Sequence, residues 1–589
     1  MTVGDSVRRS SIRYEADEKP PITLAFGLGL QFAILIAGGV VLTPAIVVRA
    51  GGGSEEFLNW AAFAAAAICG ITTILQVVKV GRIGAGYVLG MGTSGAFIAI
   101  CAAAIAKGGP AMLATLVAIS ALFQFALAAR LSLFRRILTP TVAGTVIMLI
   151  PVTVMPIAFD MLKQVPEGSS ASAAPLSALA TIVVIGAIAL KSNGKWQLWA
   201  PVIGVVTGSL VGLYFGLYDI NRVASAAWFG FPDGGWPGFD LSFGPVFWAL
   251  LPGFIFVTLV GAVETIGDSV AIQRVSWRKP RAIDFRAVQG AVAADGVGNL
   301  LSGLAATMPN TTYSTSVAVT ELTGVASRRV GVALGAIFIV AAFLPKALAI
   351  VLAIPGPVAA AYITILMAML FVLGLKIVVD AGIDYRKGLI TGVGFWAGVG
   401  FESGMIFPEY ISGFAGGLLE NGMTAGGLII ISLTMFVELA EPRRRLETPF
   451  EITELPKVRE FLAKFASRSG WDAEMQHRLD AVAEETMLTL LRHDSGEKSE
   501  NTPKRLLLTV RQESGDAVLE FAAATGEYNL EDRIAMLGKR SGEVNAELQV
   551  SLRLLRHMAS SVHHQQYHDT DIVTVRVERT AQSGNHAES

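Results

Sequence analysis

Apolar residues dominate the chain from about residue 21 to about 442, in runs of the length a membrane helix needs, about 20 residues. Such runs fall near 22–48, 57–78, 89–106, 111–129, 138–161, 173–190, 197–217, 246–270, 287–306, 312–325, 329–353, 357–379, 388–406 and 423–440. The pattern predicts an all-α polytopic membrane protein with about 14 spans, several shorter than a full crossing. From about 443 onward the pattern changes, and charged residues occur throughout. Helical spacing near Val458–Ser467 and Met475–Leu491 is followed by strand-like runs at Arg505–Val510 and Ala517–Ala523. A helix near Glu547–Ser560 and a strand at Asp571–Val577 complete a small mixed α/β domain over 443–580. The residues 581–589 are polar and are expected to be a disordered tail.

Composition supports this division. The chain is 53% hydrophobic and only 16% charged, against about 25% charged in soluble globular domains. All seven His lie after residue 470, so chemistry inside the membrane falls to carboxylates. Cys69 and Cys101 sit in apolar runs and read as small core residues. Met1–Pro20 is polar, lacks the apolar core of a signal peptide, and reads as a cytoplasmic N-terminal tail. Basic residues then alternate with the spans. Lys79, Arg82, Arg130, Arg135, Arg136, Lys191, Lys195, the cluster from Arg274 to Arg286, Arg328, Arg329, Lys376, Arg386 and Lys387 fall on the side of the N-terminus. Arg49, Lys107, Lys163, Arg222 and Lys346 fall on the other. The excess follows the positive-inside rule and places both termini in the cytoplasm of a multi-pass cell (inner) membrane protein.

Two polar segments break the apolar pattern. Gly92-Thr93-Ser94-Gly95-Ala96-Phe97 opens the third run, and Pro309-Asn310-Thr311-Thr312-Tyr313-Ser314-Thr315-Ser316 opens the tenth. They stand third in each half of seven. Interruptions at matching positions of two halves point to a transporter binding site, because irregular backbone at membrane depth persists only where it is buried in protein or lines a cavity. The bland alternative is a pair of Gly/Ser-rich packing seams.

Glu264 and Asp268 lie inside one apolar run, spaced i and i+4 on one helix face. Carboxylates at bilayer depth are costly unless paired, protonated or solvated, so such residues mark function or a tie between helices. Two on one face share a proton more readily than they hold two charges. Asp295, in the next run, is placed to hydrogen-bond across helices in support of the site or of the fold. Glu321 reads as an interfacial ion-pair partner near Arg328 and Arg329, and Glu402 has no evident role.

These residues resemble the nucleobase–ascorbate transporters, or xanthine/uracil permease family, over roughly residues 20 to 440. The matching stretches are Pro20-Pro21 with Gly29-Leu30-Gln31; Met91-Gly92-Thr93-Ser94; Thr139-Pro140-Thr141-Val142-Ala143-Gly144-Thr145; Val263-Glu264-Thr265-Ile266-Gly267-Asp268; Ala294-Asp295-Gly296; and Pro309-Asn310-Thr311-Thr312 leading to Leu322-Thr323-Gly324-Val325. The resemblance implies two inverted seven-span repeats arranged as core and gate, proton coupling, and a homodimer. It implies substrate contacts from Glu264, Ser94, Gly95, Ser314, Thr315 and Ser316, with Asp268 and Asp295 in proton coupling or support. A carboxylate suits the task, because it accepts two parallel hydrogen bonds from the N–H groups on a nucleobase edge. The chain departs from the family pattern where Thr315 replaces the usual Gln or Glu, Gly95 the usual aromatic residue, and Phe32 the usual His. The roomier, less polar site favours an oxopurine such as xanthine or urate over uracil.

The C-terminal domain resembles the histidine-kinase-like ATPase fold of anti-sigma-factor kinases, through Arg478-Leu479 to Glu484, Ser551–Arg556 and the closing strand. Leu488 stands where that fold has its metal-supporting Asn, and the adenine-reading Asp-x-Gly-x-Gly loop is absent near Thr525-Gly526-Glu527. A degenerate regulatory module with a cytoplasmic partner is therefore expected. The run His563-His564 with His568 reads as a solvated surface, with metal binding as the alternative. The expected function is secondary import of an oxopurine with a proton as coupling ion. No metal, other cofactor, nucleic-acid partner or enzymatic activity is expected. A uracil permease, a sulfate-like anion carrier of the same architecture and a membrane-bound sensor enzyme are the competing readings.

Overall fold

The computed structural model describes residues 12–134, 139–232, 234–279, 281–410, 419–440, 444–492, 505–513, 515–523, 530, 553–568 and 570–579. Two compact units result. One comprises Met1–Lys279 with Ala287–Met435, and the other Pro280–Arg286 with Phe436–Ser589.

The first unit is helical. Its elements are α1 (Ile22–Ala50), α2 (Glu55–Val78), β1 (Met91–Thr93), α3 (Ile98–Ala129), α4 (Pro140–Met161), α5 (Ala173–Lys191), α6 (Lys195–Tyr214), α7 (Pro245–Val275), α8 (Phe285–Leu304), β2 (Asn310–Thr312), α9 (Thr315–Thr323), α10 (Arg328–Ala342), α11 (Pro345–Leu352), α12 (Gly356–Asp380), α13 (Tyr385–Glu402) and α14 (Gly422–Ala440). Local signals set many of the ends. The Ser54 side chain accepts from the Phe57 N–H to open α2, Thr139 caps α4 ahead of Pro140, and Asp384 caps α13. Within α3, Gly109 with φ of 77° precedes Pro110 and divides the element into two helices, as the two sequence runs predicted.

Among the described residues, eight helices are long and apolar enough to cross a membrane, or nine if the pair α10 and α11, bent by 89°, is one span. The sequence predicted about 14. The difference has several sources: the third and fourth runs count as one span in α3, α8 is too polar and α13 too charged to pass by hydropathy, and α9, at nine residues, and the apolar part of α14 are too short. Away from Lys191, Lys195 and Gln197 at the ends that face each other, the exposed residues of α5 and α6 are apolar, as lipid-facing helices require.

Small residues let the helices approach closely. A methyl on Gly70 of α2 would lie 2.5 Å from the Gly335 carbonyl of α10, and one on Gly144 of α4 would lie 2.6 Å from the Gly374 carbonyl of α12. Gly303 of α8 meets the backbone of Ala118 in α3, and Gly398 of α13 meets Gly422 of α14. These contacts obey a rule. Mapping α1 to α7, α2 to α8, β1 to β2, the second part of α3 to α10, and α4, α5 and α6 to α12, α13 and α14 turns one contact into another. Thus α1 on α10 becomes α7 on α3, α2 on α10 becomes α8 on α3, and α5 on α6 becomes α13 on α14.

The second unit holds an antiparallel five-stranded sheet, β3 (Arg444–Pro449), β4 (Arg505–Glu513), β5 (Asp516–Ala523), β6 (Ser561–Gln566) and β7 (Asp571–Val577), in the order β3-β4-β5-β7-β6. Helices α15 (Leu455–Arg468) and α16 (Ala473–Arg492) bury Val458, Leu462, Leu479 and Val482 against Leu508, Leu519, Phe521 and Val573 of the sheet. Strands β3 and β6 were not anticipated, since each mixes polar residues into a short run. His564 is buried on β6, where its Nδ1 accepts from the Leu530 N–H at 2.8 Å, while His563 beside it is exposed. The expected solvated run is thus split across the two faces of a strand. Glu484 pairs with Arg459 at 2.6 Å, and Leu488 is partly buried. The segment Thr525–Glu527, residues 547–552 and the tail 581–589 lie outside the described residues.

Candidate substrate site

The two interrupted segments meet. Strands β1 and β2 pair antiparallel, with Met91 opposite Thr312, Gly92 opposite Thr311 and Thr93 opposite Asn310. Backbone bonds extend the pairing, from the Ser94 N–H to the Pro309 carbonyl at 2.9 Å and from the Tyr313 N–H to the Gly90 carbonyl at 2.9 Å. Each segment thereby satisfies the backbone groups that the other leaves open within an apolar region. Gly92 is required at this crossing, because a methyl there would come 2.6 Å from the Tyr313 ring. Tyr313 donates its hydroxyl to the Thr93 carbonyl at 2.8 Å. The Thr93 hydroxyl donates to the Gly39 carbonyl of α1 at 2.9 Å, tying the crossing to the first helix.

Helix α7 packs against β2, α9 and the single turn Gly95–Phe97. It brings Glu264, Thr265 and Asp268 to the crossing. Asp268 is buried and accepts from the Thr312 hydroxyl at 2.8 Å. Asp295 on α8 is fully buried. Its Oδ2 accepts from the Gln124 amide of α3 at 2.6 Å and from the Thr265 hydroxyl at 2.9 Å. A polar chain continues from there. The Asn299 amide donates to Gln124, the Asn310 N–H donates to Asn299, and the Asn310 amide donates to Thr72 at 3.0 Å. Glu264 differs from the other two acids. It is partly exposed, and among the described residues its carboxylate receives no hydrogen bond.

The predicted contact residues separate into two groups. Glu264, Gly95, Ser314 and Thr315 are partly or fully exposed where α7, the Gly95–Phe97 turn and α9 meet. A methyl on Gly95 would reach 3.4 Å from Met367 of α12, so this residue faces that helix. Ser94 and Ser316 are buried instead, and the Ser316 hydroxyl accepts from the Gly90 N–H at 2.9 Å. Gln124, Thr265, Asn299, Thr312 and Tyr313 were missed as site residues. Their signal was present as polar side chains inside apolar runs, but only the crossing shows which of them meet. Glu402 finds its role away from the site, accepting from the Gly422 N–H at 2.7 Å where α14 begins.

The model of the Permease family, that of the xanthine/uracil permeases, matches residues 24–405. The chain is 26% identical to the xanthine permease XanP of Escherichia coli strain K12, over 73% of this chain and 95% of that protein. It is also 26% identical to the uric acid permease PucJ of Bacillus subtilis strain 168, over 74% of this chain and 97% of that protein. Among solved structures, the transmembrane domain of a cyanobacterial bicarbonate transporter, BicA, is 18% identical with a TM-score of 0.44, covering 73% of this chain and 98% of that one.

Proposed function

This chain belongs to the Permease family of xanthine/uracil permeases, and on that premise we propose that it is a secondary active transporter importing an oxopurine, xanthine or urate, by proton symport. One observation carries the assignment. Asp268 and Asp295 are engaged by protein donors, whereas Glu264, one helical turn from Asp268, is left without one among the described residues. An unengaged carboxylate at the crossing of two broken spans is an acceptor held open for a ligand, and an oxopurine edge supplies paired N–H donors for it. Relatives named for xanthine and for uric acid agree with that chemistry. Gly95 and Thr315 are smaller than the aromatic residue and the Gln or Glu usual at these positions, which favours a bicyclic base.

The seven-span correspondence of contacts supports two inverted repeats. The helices that meet at β1 and β2 form a core, and α4 to α6 with α12 to α14 form a gate. Asp268 and Asp295 serve proton coupling, and the excess of basic residues in alternate loops supports a cytoplasmic location for both termini. The C-terminal unit is a regulatory module. A thermal-shift screen of purines, pyrimidines and small anions on the purified protein tests the substrate class. Stabilisation by xanthine or urate is expected, and stabilisation by sulfate or bicarbonate alone would overturn the reading. Uptake driven by acid outside and abolished by a proton uncoupler is expected, and indifference to the uncoupler would remove proton coupling.

A further inference from the structure

The N-terminal segment was expected to be a tail. The structure instead lays Ile12–Lys19 across the ends of three helices. The Arg13 and Tyr14 N–H groups both donate to the Gly324 carbonyl, at 2.7 and 3.1 Å. The Ala326 N–H donates to the Tyr14 carbonyl at 2.8 Å, the Arg328 N–H to the Ala16 carbonyl at 3.1 Å, and the Ser327 hydroxyl to the Glu18 carbonyl at 2.6 Å. The segment therefore adds a parallel bridge to the link between α9 and α10. Arg328 pairs with Asp17 at 3.0 Å, and Arg329 donates to the Pro20 carbonyl at 3.1 Å. Ala16 is 1% exposed, and Tyr14 packs with Ala25, Leu28, Val325 and Val330.

The other end of the clamp is Arg278, three residues beyond α7. Its guanidinium meets both carboxylate oxygens of Glu18, at 2.7 and 2.6 Å, and the carbonyls of Ile12 and Arg13, at 3.1 and 2.7 Å. Its backbone N–H donates to Glu15 at 2.8 Å. This fork cannot be copied by a lysine, which offers a point charge in place of planar paired donors.

Two of the three helices so clamped, α7 and α9, carry the site. Helix α9 has nine residues, too few to be stable alone. It is held at one end by β2 and the Thr312 to Asp268 bond, and at the other by the Arg13 and Tyr14 N–H groups of the strap, which donate to the Gly324 carbonyl. We propose that the strap Ile12–Lys19, locked by Arg278 and Glu18, is a positioning element that fixes α9 against α7 and so sets the spacing of Thr315 and Ser314 from Glu264. Arg278 acts through α9 rather than by touching substrate.

The test uses the full-length protein in detergent or nanodiscs, with Arg278→Ala, the milder Glu18→Gln and the charge-keeping Arg278→Lys. Hydrogen exchange of the Val317–Thr323 amides is read beside that of α4 and α12, which the strap does not touch, and xanthine uptake is split into KM and maximal rate. Exchange in α9 is expected to rise roughly tenfold in Arg278→Ala, to rise less in Glu18→Gln and Arg278→Lys, and to stay unchanged in α4 and α12. KM is expected to rise more than the maximal rate falls. Wild-type exchange in α9, or loosening shared equally with α4 and α12, overturns the proposal. The inference rests on the substrate reading only through KM. Failure of the wild-type protein to take up either xanthine or urate would strike that reading, while exchange in α9 still decides the role of the strap.

Discussion

Thr312 donates its hydroxyl to Asp268 at 2.8 Å, and this bond joins the second broken span to the helix that carries Glu264. It spans 44 positions of sequence, and it makes a carboxylate inside a membrane helix part of the binding crossing. Leaving a buried carboxylate oxygen without its donor costs about 1–3 kcal/mol or more. Thr312→Val, which keeps the shape and removes the hydroxyl, is expected to lower the melting temperature of the purified protein, while Thr312→Ser keeps it. Equal melting of the two variants would show that the bond carries no weight.

Glu264→Gln keeps the size of the side chain and removes the charge. Hydrogen bonds to charged groups contribute about 1.5–3 kcal/mol each. Xanthine uptake is therefore expected to fall by roughly tenfold or more, with normal amounts of protein in the membrane. Uptake at the wild-type rate would remove Glu264 from the site.

Gly92→Ala tests the crossing itself. The added methyl forces the Tyr313 ring away and breaks its bond to the Thr93 carbonyl. Overpacking of this kind costs about 1–3 kcal/mol. Lower melting and lost uptake are expected, whereas Gly27→Ala, which meets nothing within 4 Å, is the harmless control.

The strap carries its own pH dependence. The Arg278 guanidinium and the Glu15 N–H hold the Glu18 carboxyl below the ordinary glutamate range. A carboxyl with a lowered pKa in the folded state adds stability above its unfolded pKa and loses it as pH falls through the folded value. Exchange in α9 is therefore expected to be slow near neutrality and to quicken, after correction for intrinsic rates, below the ordinary glutamate pKa. Glu18→Gln should flatten that dependence. A profile unchanged by the substitution would assign the acid response to another group.

The C-terminal unit is expected to leave ATP unbound. Leu488 offers no metal-supporting oxygen on α16, and the sequence lacks the adenine-reading loop. A nucleotide-dependent shift in melting of the full-length protein, lost on deletion of residues 443–589, would show instead that the domain keeps its nucleotide site.

What the sequence determined by itself was whatever depends on local periodicity and on the cost of a charge in lipid. Runs of apolar residues are long enough to be read one at a time, so most helices fall where their hydropathy put them. Glu264, Asp268 and Asp295 were visible as acids that an apolar run does not tolerate without cause. Tertiary structure decided what depends on distant partners. Met91–Thr93 is paired by a segment more than 200 positions away, and only that pairing turns Thr312 into a donor for Asp268. It also divided the three acids, engaging Asp268 and Asp295 and leaving Glu264 open, although all three look alike along the chain. The N-terminal segment shows the same limit. Its residues are polar and read as a tail, because the carbonyl of Gly324 and the fork of Arg278 that hold it come together only after α7, α9 and α10 have packed.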